Sequence, residues 1–410
     1  MRHRLPPALR LRSFALLWTS SLASGFALQM VVVAIGWQVY NIHLNPLDLG
    51  LVGLAEFLPL LILALPAGQI ADRFPRRTVV AIGLAFQVVI AALLVLITLS
   101  GADQLWPFLT VAVIAGMASA LTNPAGRALT PEVVPTELLP GAIALRSVAN
   151  QMGIIVGPAI GGAIFAIEPV AVYITAGVLF VLAFATILGV RSTRAAAPAV
   201  ELNWRNLSAG IGFIVHTRML LGAISLDLVA VLFGDSIALA PVFARTILDI
   251  GPFGLGLLRA APSVGALTAG LILARKPLKY RAGPTLLVVV AIFGAMMIVF
   301  GLSKSLPLSL AALAVAGFAD MISMNIRSTT VLLVTPHELQ GRVSAVEWVF
   351  ISASNELGAF ESGAVASLIG TVAAVVAGGV VMIGCAASWG RLFPELSHMG
   401  KLEELQPEPV

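Results

Sequence analysis

Residues 68–77 read Gly68-Gln-Ile-Ala-Asp72-Arg73-Phe-Pro-Arg76-Arg77. Four charged side chains stand within six positions of a chain that is 11% charged and 59% hydrophobic. A soluble domain averages about 25% charged and roughly 45–50% apolar residues. Charge this concentrated, flanked on both sides by apolar blocks, marks a polar turn between two segments that lie in hydrocarbon.

Working outward from that turn, the criterion of about 20 apolar residues per crossing gives twelve helices. In the first half they fall near 14–41, 48–71, 78–99, 106–126, 141–166 and 169–190. In the second half they fall near 219–245, 253–274, 284–303, 306–333, 344–369 and 371–393. The first run follows a basic RHRLPPALRLR segment but is too long for a signal-peptide core, so it is expected to stay as a membrane helix. An even number of crossings puts both termini on one side. With that side cytoplasmic, seventeen lysines and arginines from Arg2 to Lys401 lie in inner segments, and only Arg245 and Lys304 lie outside. The positive-inside rule therefore expects cytoplasmic termini, with Arg73, Arg76 and Arg77 holding the 68–77 turn on that face.

The chain also repeats itself. Gly53-Leu-Ala-Glu-Phe-Leu-Pro59 aligns with Gly256-Leu-Leu-Arg-Ala-Ala-Pro262 at an offset of 203. Pro135-Thr-Glu-Leu138 aligns with Pro336-His-Glu-Leu339 at 201, and Asn150-Gln-Met-Gly153 with Asn355-Glu-Leu-Gly358 at 205. Three matches in one order at nearly one offset predict an all-α membrane protein of two related six-helix bundles. The expected organisation is an N-terminal bundle over 1–192, a connector over 193–216, a C-terminal bundle over 217–395 and a cytoplasmic tail over 396–410. Part of the connector, around Trp204 to Ile214, suits an amphipathic interfacial helix.

Two six-helix repeats with Gly68…Asp72-Arg73…Arg76-Arg77 between helices 2 and 3 resemble the major facilitator superfamily of transporters. The resemblance covers nearly the whole chain. Gly153-Ile-Ile-Val-Gly157-Pro158-Ala-Ile-Gly161-Gly162 on helix 5 is similar to the glycine–proline signature of that superfamily's antiporters. Asn123-Pro-Ala-Gly-Arg127-Ala-Leu-Thr-Pro131-Glu132-Val-Val-Pro135 resembles the exporter branch that includes enterobactin and macrolide efflux proteins. The second half departs from the pattern: Arg275 stands where the offset of 203 puts the counterpart of Asp72.

The resemblance implies a conformational latch of Gly68, Asp72, Arg73, Arg76, Arg77 and Arg127, in which Asp72 approaches the N-terminal end of helix 11 near Ser344 and an arginine such as Arg127 or Arg73. The alternative is an exposed acid among arginines, contributing about 0–1 kcal/mol through surface pairing. Gly153, Gly157 and Gly161 recur every fourth residue and so share one helix face. Either they permit close packing, or helices 5 and 11 form sliding surfaces between the halves, with Pro158 adding a kink.

Ionisable groups inside spans are costly in hydrocarbon and normally face a partner or water. Glu56, Asp227, Asp235, Arg259, Glu356 and Glu361 are the candidates for proton coupling, whereas Glu347 and Arg146 read as interfacial. The family arrangement implies that helices 2 and 11 are neighbours, so that Glu56 and Glu361 share a site where one carboxyl titrates near neutral pH. The alternative has these acids pairing with Arg259 or amides to stabilise the bundle. Phe26, Gln29, Trp37, Phe233, Asn325 and Asn355 are candidates to line a substrate cavity.

Other chemistry is absent from the sequence. Cys385 is the lone cysteine, so there is no internal disulfide and no paired-cysteine metal or redox site. There is no phosphate-binding glycine–lysine loop, and the five histidines lack metal-ligand spacing. The sequence pI of about 9.6 reflects topology signals and not nucleic-acid binding. The reading is a non-enzymatic transporter of the plasma (inner) membrane, without cofactor or metal and monomeric. It would export an amphipathic drug- or siderophore-like molecule in exchange for protons. The alternatives are an importer of the same fold and a non-transporting sensor or scaffold.

Overall fold

The computed structural model describes residues 6–101, 103–191, 204–234, 236–276, 281–400, 402 and 405. Within its helices the side chains of 64, 65, 67–72, 124, 204–207, 209, 345, 348, 349 and 352 are not described. No strand occurs among the described residues. The first half contains α1 (Arg12–His43), α2 (Pro46–Arg73), α3 (Arg76–Leu99), α4 (Trp106–Val133), α5 (Leu139–Ile167) and α6 (Pro169–Leu188). A connector helix α7 (Trp204–His216) leads to α8 (Arg218–Gly234) and the single turn α9 (Ala240–Val242). Then follow α10 (Gly251–Arg275), α11 (Ala282–Leu302), α12 (Leu306–Val334), α13 (Gln340–Ile369), α14 (Thr371–Leu392) and the short α15 (Pro394–Ser397).

Eleven stretches among the described residues are long and apolar enough to cross a bilayer, with Arg218–Ile247 counted as one. Helix α13, at 30 residues, is a further helix of spanning length. In hydrocarbon every backbone N–H and C=O must be satisfied within the segment, which is why these apolar blocks are helices. Their outer surface is apolar: Ile62, Val178 and Leu271 are all more than half exposed, as lipid-facing residues are. The helices end where the sequence interrupts them. At the end of α1, Leu44 turns left-handed (φ 52°) and its N–H donates to the Tyr40 carbonyl at 2.9 Å. Pro75 precedes α3, and Gly370 separates α13 from α14 at φ 91°, which only glycine adopts without strain.

One expected helix is not continuous. The seventh span, read as a single helix over 219–245, passes from α8 into a 3₁₀ turn at Ser236–Leu239, then α9, then a π-helical turn at Phe243–Ile247. Pro241 lacks the N–H that a continuing helix needs. The irregular backbone is tolerated at this depth because protein covers it: Ser236, Leu239, Ala240, Val242, Phe243 and Ala244 are buried.

The chain forms two compact units. Unit 1 comprises Met1–Leu44, Ala55–Glu201 and Ile250–Ala260; unit 2 comprises Asn45–Leu54, Leu202–Asp249 and Ala261–Val410. Both use one packing scheme. Unit 1 packs α1 on α5 and α6, and α3 on α4 and α6; unit 2 packs α8 on α13 and α14, and α11 on α12 and α14. This repeated packing scheme is what the resemblance to the major facilitator superfamily implies.

Within the units, glycines let helices approach closely. A β-carbon added to Gly153 would lie 3.0 Å from Gly25 of α1, and one added to Gly161 would lie 2.7 Å from the Met30 α-carbon. In unit 2 the repeat partner Gly358 does the same on α8, 2.8 Å from the Val231 carbonyl. The connector α7 lies on α13, with Gly210 against Arg342 and Val346. Residues after α14 turn back beneath unit 2: Leu396 and Met399 are buried, and the Ala282 N–H donates to the Gly400 carbonyl at 2.8 Å.

Candidate functional site

The helical lengths of α3 and α4 carry their charged ends to one level of unit 1. Arg76 opens α3 and Glu132 closes α4, and their side chains meet in an ion pair at 2.9 Å with each only 8% exposed. Arg76 also donates to the Ala128 carbonyl at 3.1 Å. Next along the chain, Arg77 is exposed but donates to the Val190 carbonyl at 3.0 Å, satisfying the backbone just past α6. From α5, Arg146 donates to the Gly126 carbonyl at 2.6 Å and the Thr130 hydroxyl at 2.9 Å. The arginines that the sequence assigned together to the inner turn thus have different surroundings. Arg76 is sealed inside unit 1, Arg77 caps α6, and Arg73 and Arg127 are exposed. Gly68 and Asp72 are among the positions whose side chains lie outside the described residues.

In unit 2 a second charged cluster joins three helices. Arg327 of α12 forms an ion pair with Asp227 of α8, their side chains 11% and 14% exposed. Glu347 of α13, half-buried, interacts electrostatically with Arg327. The three line a void of about 10 Å³, room for about one water molecule. Glu347 also borders a larger cavity of about 290 Å³ between α12 and α13, lined by Ser328, Thr329, Thr335, Gln340 and Ser344 among others. Glu347, read from the sequence as interfacial, is therefore part of a polyhelical cluster.

The remaining candidates are distributed as follows. Glu56 is half-buried on α2 in unit 1, its backbone carbonyl packed against Gly116 of α4. Glu361 is half-buried on α13 in unit 2. Glu356 places a carboxylate oxygen 3.6 Å from where a β-carbon on Gly53 would sit, both within unit 2. Arg259 is half-buried on α10 and is engaged by a partner. Asp235 lies outside the described residues. Phe26, Gln29 and Trp37 are half-buried on α1; Asn325 is half-buried on α12, while Phe233 and Asn355 are exposed. None of these six lines either of the two cavities.

The glycine row of α5 faces its own unit. Gly153, Gly157 and Gly161 lie against Gly25, Gln29 and Met30 of α1, and Gly162 lies against Pro252 at the start of α10. Buried Pro158 offers its carbonyl to Gly256 of that same segment. Of the two readings of the row, close packing is the one these contacts describe. Sequence reasoning passed over two residues that matter here, Glu132 and Glu347. Glu132 stood inside the Asn123–Pro135 motif, and an acid near the end of one span with an arginine opening another was the available signal.

Residues 5–405 match the family described as transmembrane secretion effector, a branch of the major facilitator superfamily. The chain belongs to this family. Among its relatives, the multidrug efflux pump Tap of Mycolicibacterium fortuitum is 29% identical over 87% of this chain and 90% of its own length. The enterobactin exporter EntS of Shigella flexneri is 26% identical over 84% of this chain and 80% of its own length. A bacterial homologue of the lysosomal transporter Spinster superposes with a TM-score of 0.73 at 14% identity, over 94% of this chain and 98% of that one. This transmembrane secretion effector is a multi-pass membrane protein, a transporter of small molecules and not an enzyme.

Proposed function

We propose that this transporter exports an amphipathic small molecule from the cytoplasm in exchange for protons, by alternating access, in a bacterial-type inner membrane with both termini cytoplasmic and working as a monomer. The observation that carries this reading is its likeness, over most of both lengths, to proteins named as an efflux pump and as a siderophore exporter. Carboxylates held within spans support the exchange of protons, because a group that is costly to keep charged in hydrocarbon is readily neutralised by protonation. Glu56 in unit 1 and Glu361 in unit 2, both half-buried, are the proposed carriers, with Glu356 beside them in the proposal. The latch role of Gly68, Asp72, Arg73 and Arg127 belongs to the same proposal.

The test uses everted membrane vesicles from cells producing the full chain, with ethidium as the probe. An inward-acid gradient is expected to drive ethidium accumulation, to be abolished by a protonophore, and to fall at least tenfold in Glu361→Gln. Accumulation that persists with the gradient collapsed overturns proton exchange, and ethidium loss driven by the gradient reverses the direction.

A further inference from the structure

Unit 2 holds a cluster in which two carboxylates share one guanidinium. Asp227 and Glu347 together face one guanidinium, that of Arg327, so the cluster carries one net negative charge when all three groups are ionised. Those three are the charged groups that line the void, and Glu347 alone among charged groups lines the larger cavity. From the elements packed on α13, His216 of α7, Arg218 of α8, Asp320 of α12 and Arg391 of α14 are exposed, and neither they nor half-buried Arg342 of α13 itself border either space. A net charge in such surroundings is expensive, and taking up a proton is the cheapest way to remove it.

Geometry separates the two carboxylates. Asp227 is engaged by Arg327 in a direct ion pair and borders the void, which holds about one water molecule, but not the larger cavity. Glu347 borders both that void and the cavity of about 290 Å³, so it stands between a space large enough for several waters and the ion pair behind it. The cavity wall is polar, formed in part by Ser328, Thr329, Gln340 and Ser344, so water is a suitable occupant.

We propose that Glu347 is a proton-carrying carboxylate of the C-terminal unit, loaded from water in the cavity beside Thr335 and held against the Asp227–Arg327 pair. This rests on the reading that transport is exchanged for protons. The proton passes from a cavity water to a Glu347 carboxylate oxygen; the Asp227–Arg327 pair stays ionised and neutral overall. Protonation therefore releases α13 from the charge on α12 while α8 and α12 remain tied. The same helix α13 carries Glu356 and Glu361, so the state of Glu347 bears on the segment that holds those acids.

The experiment is an infrared difference titration of the purified full chain in detergent, read at the stretching band of protonated carboxyl groups. A band that disappears as pH rises is expected in the unaltered protein and in Glu338→Gln, an exposed carboxylate in the turn before α13. Its Glu347 component, read as the difference from the unaltered protein so that Glu56, Glu361 and the other carboxyls cancel, is expected to be missing in Glu347→Gln and shifted in frequency in Glu347→Asp. The second variant guards against misfolding of the first. A titrating band identical in the unaltered protein and Glu347→Gln, or unmoved in Glu347→Asp, overturns the assignment. Ethidium movement in vesicles separates this result from the exchange reading. If ethidium ignores the proton gradient while the Glu347 component titrates, exchange fails and the site stands; if exchange holds and the band is unchanged in Glu347→Gln, the site alone fails.

Discussion

The α3–α4 junction of unit 1 and the α8–α12–α13 junction of unit 2 both bury an arginine against a carboxylate, yet they differ in two respects. At the first, a guanidinium pairs with a carboxylate and donates to a backbone carbonyl, and both side chains are 8% exposed. At the second, one guanidinium serves two carboxylates beside a void and a larger cavity. A sealed ion pair has little to gain from a proton. An unbalanced cluster beside a water-sized space has more. The contrast separates a structural strut from a chemical site more clearly than burial, since both arginines are buried or nearly so.

The largest effect should come from breaking the sealed pair. Glu132→Ala removes the carboxylate that pairs with buried Arg76, an expected loss of about 3–5 kcal/mol. Thermal unfolding of the detergent-purified protein, followed by tryptophan fluorescence, measures it. The double variant Arg76→Met with Glu132→Leu should recover most of the loss, because it removes both desolvation costs at once. Asp227→Asn is expected to cost less, about 1–3 kcal/mol, because Glu347 remains to balance Arg327. Equal losses from Glu132→Ala and Asp227→Asn would erase the distinction between the clusters.

Next in size are the glycine contacts that both units share. Gly161→Val drives a branched side chain into the α1 backbone at Met30, and Gly358→Val does the same to α8 at Val231. Each should destabilise by about 1–3 kcal/mol, the usual cost of overpacking. Gly384 on α14 is the contrasting case, with open space where a β-carbon would stand. Gly384→Ala should instead stabilise by about 0.5–1 kcal/mol through helix propensity. A neutral Gly161→Val would show that the close α1–α5 approach is not constraining.

What the sequence made legible followed from local rules. Apolar length marked the spans, the offset near 203 marked the repeat, and the spacing of Gly153, Gly157 and Gly161 marked a single close-packed face. Long-range pairings were not legible in this way. Arg76 and Glu132 are 56 positions apart, and nothing local to Arg76 distinguishes it from Arg73 or Arg77, which meet different surroundings. Glu347 follows the start of α13 by only two turns, where an acid is ordinarily solvated. Only the crossing of α8 and α12 beside it gives it Arg327 as a neighbour. The interruption of the seventh span was hidden for a related reason: Pro241 signals a break, but the buried surroundings that allow irregular backbone come from other segments.

The smallest expected effect lies at an exposed charge pair, which marks the far end of the same scale. Glu395 sits in the first turn of α15 and accepts from Arg218 at 3.3 Å, with side chains 41% and 69% exposed. Backbone N–H hydrogen bonding at the helix start, and after it Arg218, hold the carboxyl below its ordinary range. A depressed folded-state value means that the group favours the folded state above the unfolded value, about 4.3, and that this contribution is lost as pH falls through the lower folded value. Melting curves from neutral pH downward should therefore show slightly less acid sensitivity in Glu395→Gln than in the unaltered protein. Arg218→Ala should reproduce only part of that change, because the backbone hydrogen bond is the larger cause. Salt should shrink the Arg218 part by screening while leaving the backbone part nearly intact. An Arg218→Ala effect as large as that of Glu395→Gln would mean that the ion pair, not the start of α15, fixes the carboxyl.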